Sequence, residues 1–269
     1  MDSFAGYERF YVEIESRIES AVRHNHPRPW DENNITHNIL AGLRQLGPKI
    51  KINRRNRDAV NVHWDFFKLN GRAEQLYGDV AFIIRMHQKD RQYTDGMGVI
   101  EAKKINATKD EYTELLGARK DQLQKQFGRL PYALVALYEH EDISGFQANL
   151  PYLDDTYPWG FHWPHPLLEQ TRALCVPGNV VLAANRRNRS LYPLGVPFSF
   201  QIAWRFLRGF DLHYEPDNFP LINRFAQANG GFQFIVIASV SKGDSQPELP
   251  LQASNLEGYE RLTELGGNE

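Results

Sequence analysis

The sequence predicts an α/β protein, a central mixed sheet flanked by helices. Two observations carry this. Apolar residues recur at helical spacing over residues 7–22 and 31–46. Short apolar runs bounded by turn residues then follow at 60–69, 76–86, 97–103 and 131–138, the pattern of strands. At 269 residues the chain can bury a substantial core as one large domain or two small ones. The order of elements divides it into residues 1–145, a core with an N-terminal helix, and residues 146–269, a C-terminal α/β extension that can pack on the same domain.

Composition removes several classes. With 42 % hydrophobic and 24 % charged residues the chain is an ordinary globular protein, and its formal net charge of −2 excludes a uniformly basic nucleic-acid coat. A single cysteine, Cys175, excludes an intrachain disulfide and a multi-cysteine zinc site. No apolar run reaches the ~18 residues of a membrane span. The N-terminus MDSFAGYERF lacks the basic and apolar regions of a signal peptide, so the expectation is a cytoplasmic protein with no membrane partner.

Taken in order, residues 7–22 place Phe10, Ile14, Ile18 and Ala21 or Val22 on one helical face, with Glu13, Glu15 and Glu19 read as its solvated side. A proline-broken loop, HNHPRPWDEN, follows. Residues 31–46 form a second helix, with Ile35, Ile39, Leu40, Leu43 and Leu46 inward, ended by Gly47-Pro48. Glu32 lies in its first turn, where it either complements the helix dipole or serves a site. Residues 49–57, KIKINRRNR, make a basic cluster with Arg44 that either attracts phosphates or is a solvated turn. Its NRRNR recurs at 185–189.

The strand at 60–69 runs into Asn70-Gly71, a two-residue hairpin signal, and then into the strand holding Asp79. A polar loop over 87–96 separates it from the strand that ends Glu101-Ala102-Lys103-Lys104. Asp65 and Asp95 read as structural carboxylates. A helix at 110–128 offers Gln122 and Gln126 one turn apart, ahead of the strand at 131–138. In the second half, 151–166 reads as an ordered proline and aromatic loop, in which His162 and His165 give only a weak metal signal. Strands are expected at 179–184 and 231–240, helices at 198–210 and 220–227, and a partly helical, solvated tail from Ser254.

The chemistry gathers on two of these strands. Side chains alternate between faces, so Glu101 and Lys103 project to one side and Ala102 and Lys104 to the other. If the strands pair, Asp79 comes close to Glu101, giving two hard oxygen ligands beside an ammonium. That set suits magnesium, which lowers the pKa of a bound water and offsets charge on a phosphate, while the lysine holds or deprotonates the nucleophile.

Gly78-Asp79, a separation of 22 positions, and Glu101-Ala102-Lys103 resemble the PD-(D/E)XK nuclease superfamily, with Gly78 standing where the family has proline. The resemblance covers about residues 30–140 and implies a restriction-endonuclease-like core: helix, three antiparallel strands, helix, strand. It implies Mg2+, or Mn2+ in its place, held by Asp79, Glu101, the Ala102 carbonyl and Glu32. The last comes from the pattern Glu32, Ile35, Thr36, Ile39 and Leu43. Lys103 would position the attacking water and Gln122 would orient the water or phosphate. Arg54, Arg55, Arg57, Lys104 and Gln126 would contact DNA.

The implied activity is a metal-dependent DNA endonuclease of a restriction or antiviral defence system, with a homodimer or a defence-complex protein as further partner. The alternative is a non-catalytic nucleic-acid-binding or assembly subunit on the same fold. A third reading makes Glu101 and Lys103 a surface ion pair of about 0–1 kcal/mol on an α/β protein without metal affinity.

Overall fold

The computed structural model describes residues 2–4, 6–54, 57–70, 78–87, 92–112, 115, 118–145, 170–184, 187–214, 231–243, 248–250 and 256–262. Within them lie strands β1 (Asp2–Phe4), β2 (Lys49–Arg54), β3 (Arg57–Leu69), β4 (Val80–His87), β5 (Tyr93–Lys104), β6 (Leu134–Ile143), β7 (Thr171–Pro177), β8 (Val196–Pro197), β9 (Phe234–Lys242) and β10 (Tyr259–Arg261). Among the described residues all ten join one sheet in the order β1-β2-β3-β9-β4-β5-β6-β7-β8, with β10 also on β3. The sheet is mixed: β4 runs antiparallel to β5 and parallel to β9, and β5 runs parallel to β6.

Helices cover both faces, which is why the central strands are apolar on both sides. On β4, Val80, Phe82 and Ile84 face helices α1 (Tyr7–Asn25) and α2 (Glu32–Arg44), packing with Phe10, Ile14, Ile35 and Ile39. Ala81 and Ile83 face α3 (Ala118–Arg129) and α4 (Gly178–Ala184), packing with Leu123, Phe127 and Val181. Asp31 caps α2 by accepting from the Asn34 amide at 3.2 Å, setting Glu32 in the first turn. After β8 the chain winds as α-helix (Phe198–Phe200), a π-helical turn (Gln201–Arg205) and a 3-10 turn (Phe206–Arg208) against the α1 face.

Five expectations are corrected. The strands carrying Asp65 and Asp79 are not neighbours, because β9 lies between them, antiparallel to β3 and parallel to β4. The apolar run GFQFIVIASV signals burial on both faces without saying between which strands. Residues 179–184 belong to helix α4 rather than a strand: Gly178 and Val181, three apart, are its buried positions. The basic run at 49–54 is strand β2, with Ile50 and Ile52 inward. The helix expected at 110–128 begins at Ala118, since 107–110 form a turn and Asn106 bridges to Glu111. The described part of the tail is β10, held by buried Leu256 and Leu262 and by Tyr259 donating to the Phe232 carbonyl at 2.7 Å. The loop at 151–166, with His162 and His165, and the helix at 220–227 lie outside the described residues.

Candidate active site

The β4–β5 register sets the site. Val80 pairs with Ile100, and the Asp79 amide donates to the Ile100 carbonyl at 2.9 Å, so Asp79 stands opposite Glu101. Gly78 enters this pair at φ +130, where a Cβ would meet Val99 Cγ1 at 2.9 Å and the Ile100 carbonyl at 3.1 Å. Proline, fixed near −65°, cannot adopt that backbone, which accounts for glycine at this position.

Around β5 the polar groups lock together. Asp79 Oδ2 accepts from the Ala102 amide at 2.7 Å. Lys103 Nζ donates to Glu101 Oε1 at 2.6 Å and to the Ala102 carbonyl at 2.8 Å. Glu32 Oε1 accepts from the Lys104 amide at 3.0 Å, with its Oε2 3.7 Å from Lys103 Nζ. From α3, Gln126 Nε2 donates to Glu101 Oε2 at 3.4 Å. On the other face, Tyr138 and Thr36 share a hydroxyl hydrogen bond at 3.0 Å.

Asp79, Glu101 and Lys103 are each under 5 % exposed, so their charges interact strongly. Burial, and then the neighbouring Glu101 carboxylate, push the Asp79 carboxyl well above the usual range, against the pull of Lys103 and the Ala102 amide. Burial alone would lower the Lys103 ammonium; Glu101, Glu32 and Asp79 outweigh it and raise the group above its ordinary value.

For a divalent ion the donors are right in kind: three carboxyl groups and a backbone carbonyl face a single ammonium, leaving negative charge in excess. They are gathered around the ammonium, however. Among the described residues no group of three His, Cys, Asp or Glu side chains stands at metal-holding spacing.

Of the residues expected at the site, Glu32, Asp79, Glu101, Ala102 and Lys103 come together here. Gln126 reaches Glu101, while the Gln122 side chain lies outside the described residues. Arg55 and the side chains of Arg54 and Arg57 also lie outside them. The strands that carry Arg54 and Arg57 are separated from β5 by β9 and β4. Lys104 contributes its amide to Glu32 and keeps its side chain half-buried. Asp95 is held bidentately by Arg85, both bonds 2.8 Å, and Asp65 by Arg261, as befits structural carboxylates.

Two features escaped the sequence. Glu139 on β6, two positions past the Leu137 that pairs with Lys103, is buried and accepts from Tyr192 and from Arg189 Nε at 3.1 Å. Arg189 of the second NRRNR copy therefore belongs to an ion-pair network that includes Asp110 and Glu141. Glu15, read as solvated, is 4 % exposed. It accepts from Thr171 Oγ1 at 2.6 Å and from Ser199 Oγ, and burial lifts its carboxyl to about 7.

The fold and site thus define an α/β protein with a mixed, helix-flanked sheet and a buried carboxylate–lysine cluster at the end of β5. No family model, no curated protein and no solved structure matches the chain. Among the described residues no helix is long and apolar enough to cross a membrane.

Proposed function

We propose that the chain is a metal-dependent nuclease that hydrolyses phosphodiester bonds in DNA as an endonuclease. The observation that carries the reading is the convergence of Glu32, Asp79, Glu101, Lys103 and Gln126 on one end of β5. Asp79, Glu101, Glu32 and the Ala102 carbonyl would hold Mg2+, or Mn2+ in its stead. Such an ion acidifies a bound water and offsets charge on the phosphate. The surrounding carboxylates favour the charged Lys103 ammonium, which would donate to a water or phosphate oxygen. Gln126 fixes the Glu101 carboxylate through Oε2. Lys104, beside the site, and Arg54, Arg55 and Arg57 are the cations assigned to the phosphate backbone. Cleavage of foreign DNA in restriction or antiviral defence, alone, as a homodimer or with a partner protein of a defence complex, is the role the superfamily resemblance implies.

The test is incubation of supercoiled plasmid with the parent and Lys103→Ala, in magnesium and in EDTA. Nicking is expected with the parent and magnesium only, falling at least ~100-fold in the variant. Cleavage unchanged by Lys103→Ala defeats the assignment.

A second reading has one observation in its favour: the Lys103 ammonium already occupies Glu101 Oε1 and the Ala102 carbonyl in a nearly sealed cluster. In a non-catalytic nucleic-acid-binding or assembly subunit that pairing would be the resting structure. Retention of DNA by the parent without nicking in any metal distinguishes it.

A further inference from the structure

A concavity of about 400 Å³ lies between the start of β6, the β7–β8 pair and the helical turns after β8. Leu134 and Val196 give it apolar walls, Gln201, Arg205 and Asp211 its polar side, and Tyr132 its rim. Its wall residue Leu134 pairs with Ile100 on β5 and packs in the α1-side core, so the neighbouring Glu101 side chain projects to the opposite face of the sheet.

The polar side is built. Gln201, only 1 % exposed, opens the π-helical turn and donates Nε2 to Asp211 Oδ2 at 2.9 Å; Arg205 closes that turn and donates Nη2 to Asp211 Oδ1 at 2.7 Å. Asp211 is a non-glycine residue at φ 56, held there by these two partners. With its oxygens so engaged, Asp211 neutralises Arg205 and fixes both side chains. Among the described residues neither the Gln201 side-chain oxygen Oε1 nor Arg205 Nη1 has a hydrogen-bond partner. A planar acceptor and a planar donor are thus presented side by side in a pocket of ligand size.

Tyr132, 58 % exposed, supplies a flat face at the rim. Tyr132 lies 6.0 Å from the His213 ring, and Arg208 sits 4.3 Å over Trp204 and 5.7 Å from Phe210. The aromatic face of Tyr132, an apolar floor and one fixed donor–acceptor edge, with the local carboxylate and guanidinium cancelling, suit a planar heteroaromatic ring rather than a bare anion.

We propose that this pocket binds a single nucleobase, carried by a free nucleotide or by an unpaired strand, with Gln201 and Arg205 reading its edge and Tyr132 stacking on its face. The site is separate from the carboxylate cluster and does not require it to be catalytic.

The test is equilibrium binding in EDTA of the four deoxynucleoside monophosphates, deoxyribose 5-phosphate and a labelled single-stranded oligonucleotide to the parent, Tyr132→Ala and Tyr132→Trp. Base-containing probes are expected to bind and the base-free sugar phosphate not. Tyr132→Ala should weaken binding roughly five-fold or more, and Tyr132→Trp should restore it. Equal affinity for mononucleotide and oligonucleotide identifies a free nucleotide as the ligand; a tighter oligonucleotide identifies an unpaired strand. Binding of the sugar phosphate as tight as that of the nucleotides, or an unaltered Tyr132→Ala, overturns the proposal. Because no cleavage is read, the outcome is independent of the plasmid assay.

Discussion

The end of β5 and the groove between α1 and β7 both bury carboxyl groups, and they solve the same electrostatic problem in opposite ways. At the first, Asp79 and Glu101 are set against the Lys103 ammonium, itself raised by the acids around it. At the second, Glu15 has no cation among its bonded partners: Thr171 and Ser199 donate hydroxyls, and its proton is held to about pH 7. A buried carboxylate must be paired or neutralised. Pairing keeps the charges in place around one ammonium; protonation leaves a neutral strut between α1, β7 and the helical turns.

The largest expected effect comes from removing the cation. Lys103→Met keeps the stem and deletes the charge, leaving Glu101 and Asp79 facing each other unpaired. Loss of one partner of a buried pair costs about 3–5 kcal/mol, read as a fall in urea midpoint at pH 8. The loss should shrink as the pH is lowered, because Asp79, no longer pulled down by Lys103, takes up a proton more readily. A deficit that is the same at pH 5 and pH 8 would break the contrast.

Next is Glu15→Gln. A carboxyl raised from 4.5 to about 7 in the folded state stabilises the fold most below pH ~4.5, loses that contribution as pH rises, and contributes nothing further above about 7. The span corresponds to roughly 3 kcal/mol. The neutral amide should therefore raise Tm at pH 8 relative to the parent and flatten the decline between pH 5 and 7, followed by circular dichroism. A parent whose stability rises over that window would show Glu15 to be ionised in the fold.

The two regions also differ in how far they could be read beforehand. Asp79, Glu101 and Lys103 were legible because strand alternation and one antiparallel register fix their relative positions locally. For Glu32 the first turn of α2 leaves a dipole role and a site role both open, and only the superfamily pattern of Glu32, Ile35, Thr36, Ile39 and Leu43 points to the site. Glu15 was not legible: its hydroxyl partners lie 156 and 184 residues away, and a glutamate in an amphipathic helix defaults to the solvated face. The same non-locality hid β9 between β3 and β4. The helix at α4 failed for another reason, since a short run such as Val180, Val181 and Leu182 fits either period until burial decides.

The smallest effect sharpens the comparison at Gln126. Its bond to Glu101 Oε2 is long, 3.4 Å, and Lys103 already holds the other oxygen, so Gln126→Ala should cost only about 1 kcal/mol of stability. If Glu101 is a working ligand and not a strut, its orientation matters more than that bond's strength, because a misplaced reacting group costs far more in rate than in folding. Plasmid nicking by Gln126→Ala should then fall by more than the roughly five-fold that 1 kcal/mol represents, while Gln126→Glu, adding a fourth acid to the cluster, should destabilise the fold at pH 8 and recover at pH 5. Equal, small changes in both assays would make the β5 cluster a structural pair of the same kind as Glu15 and its hydroxyls.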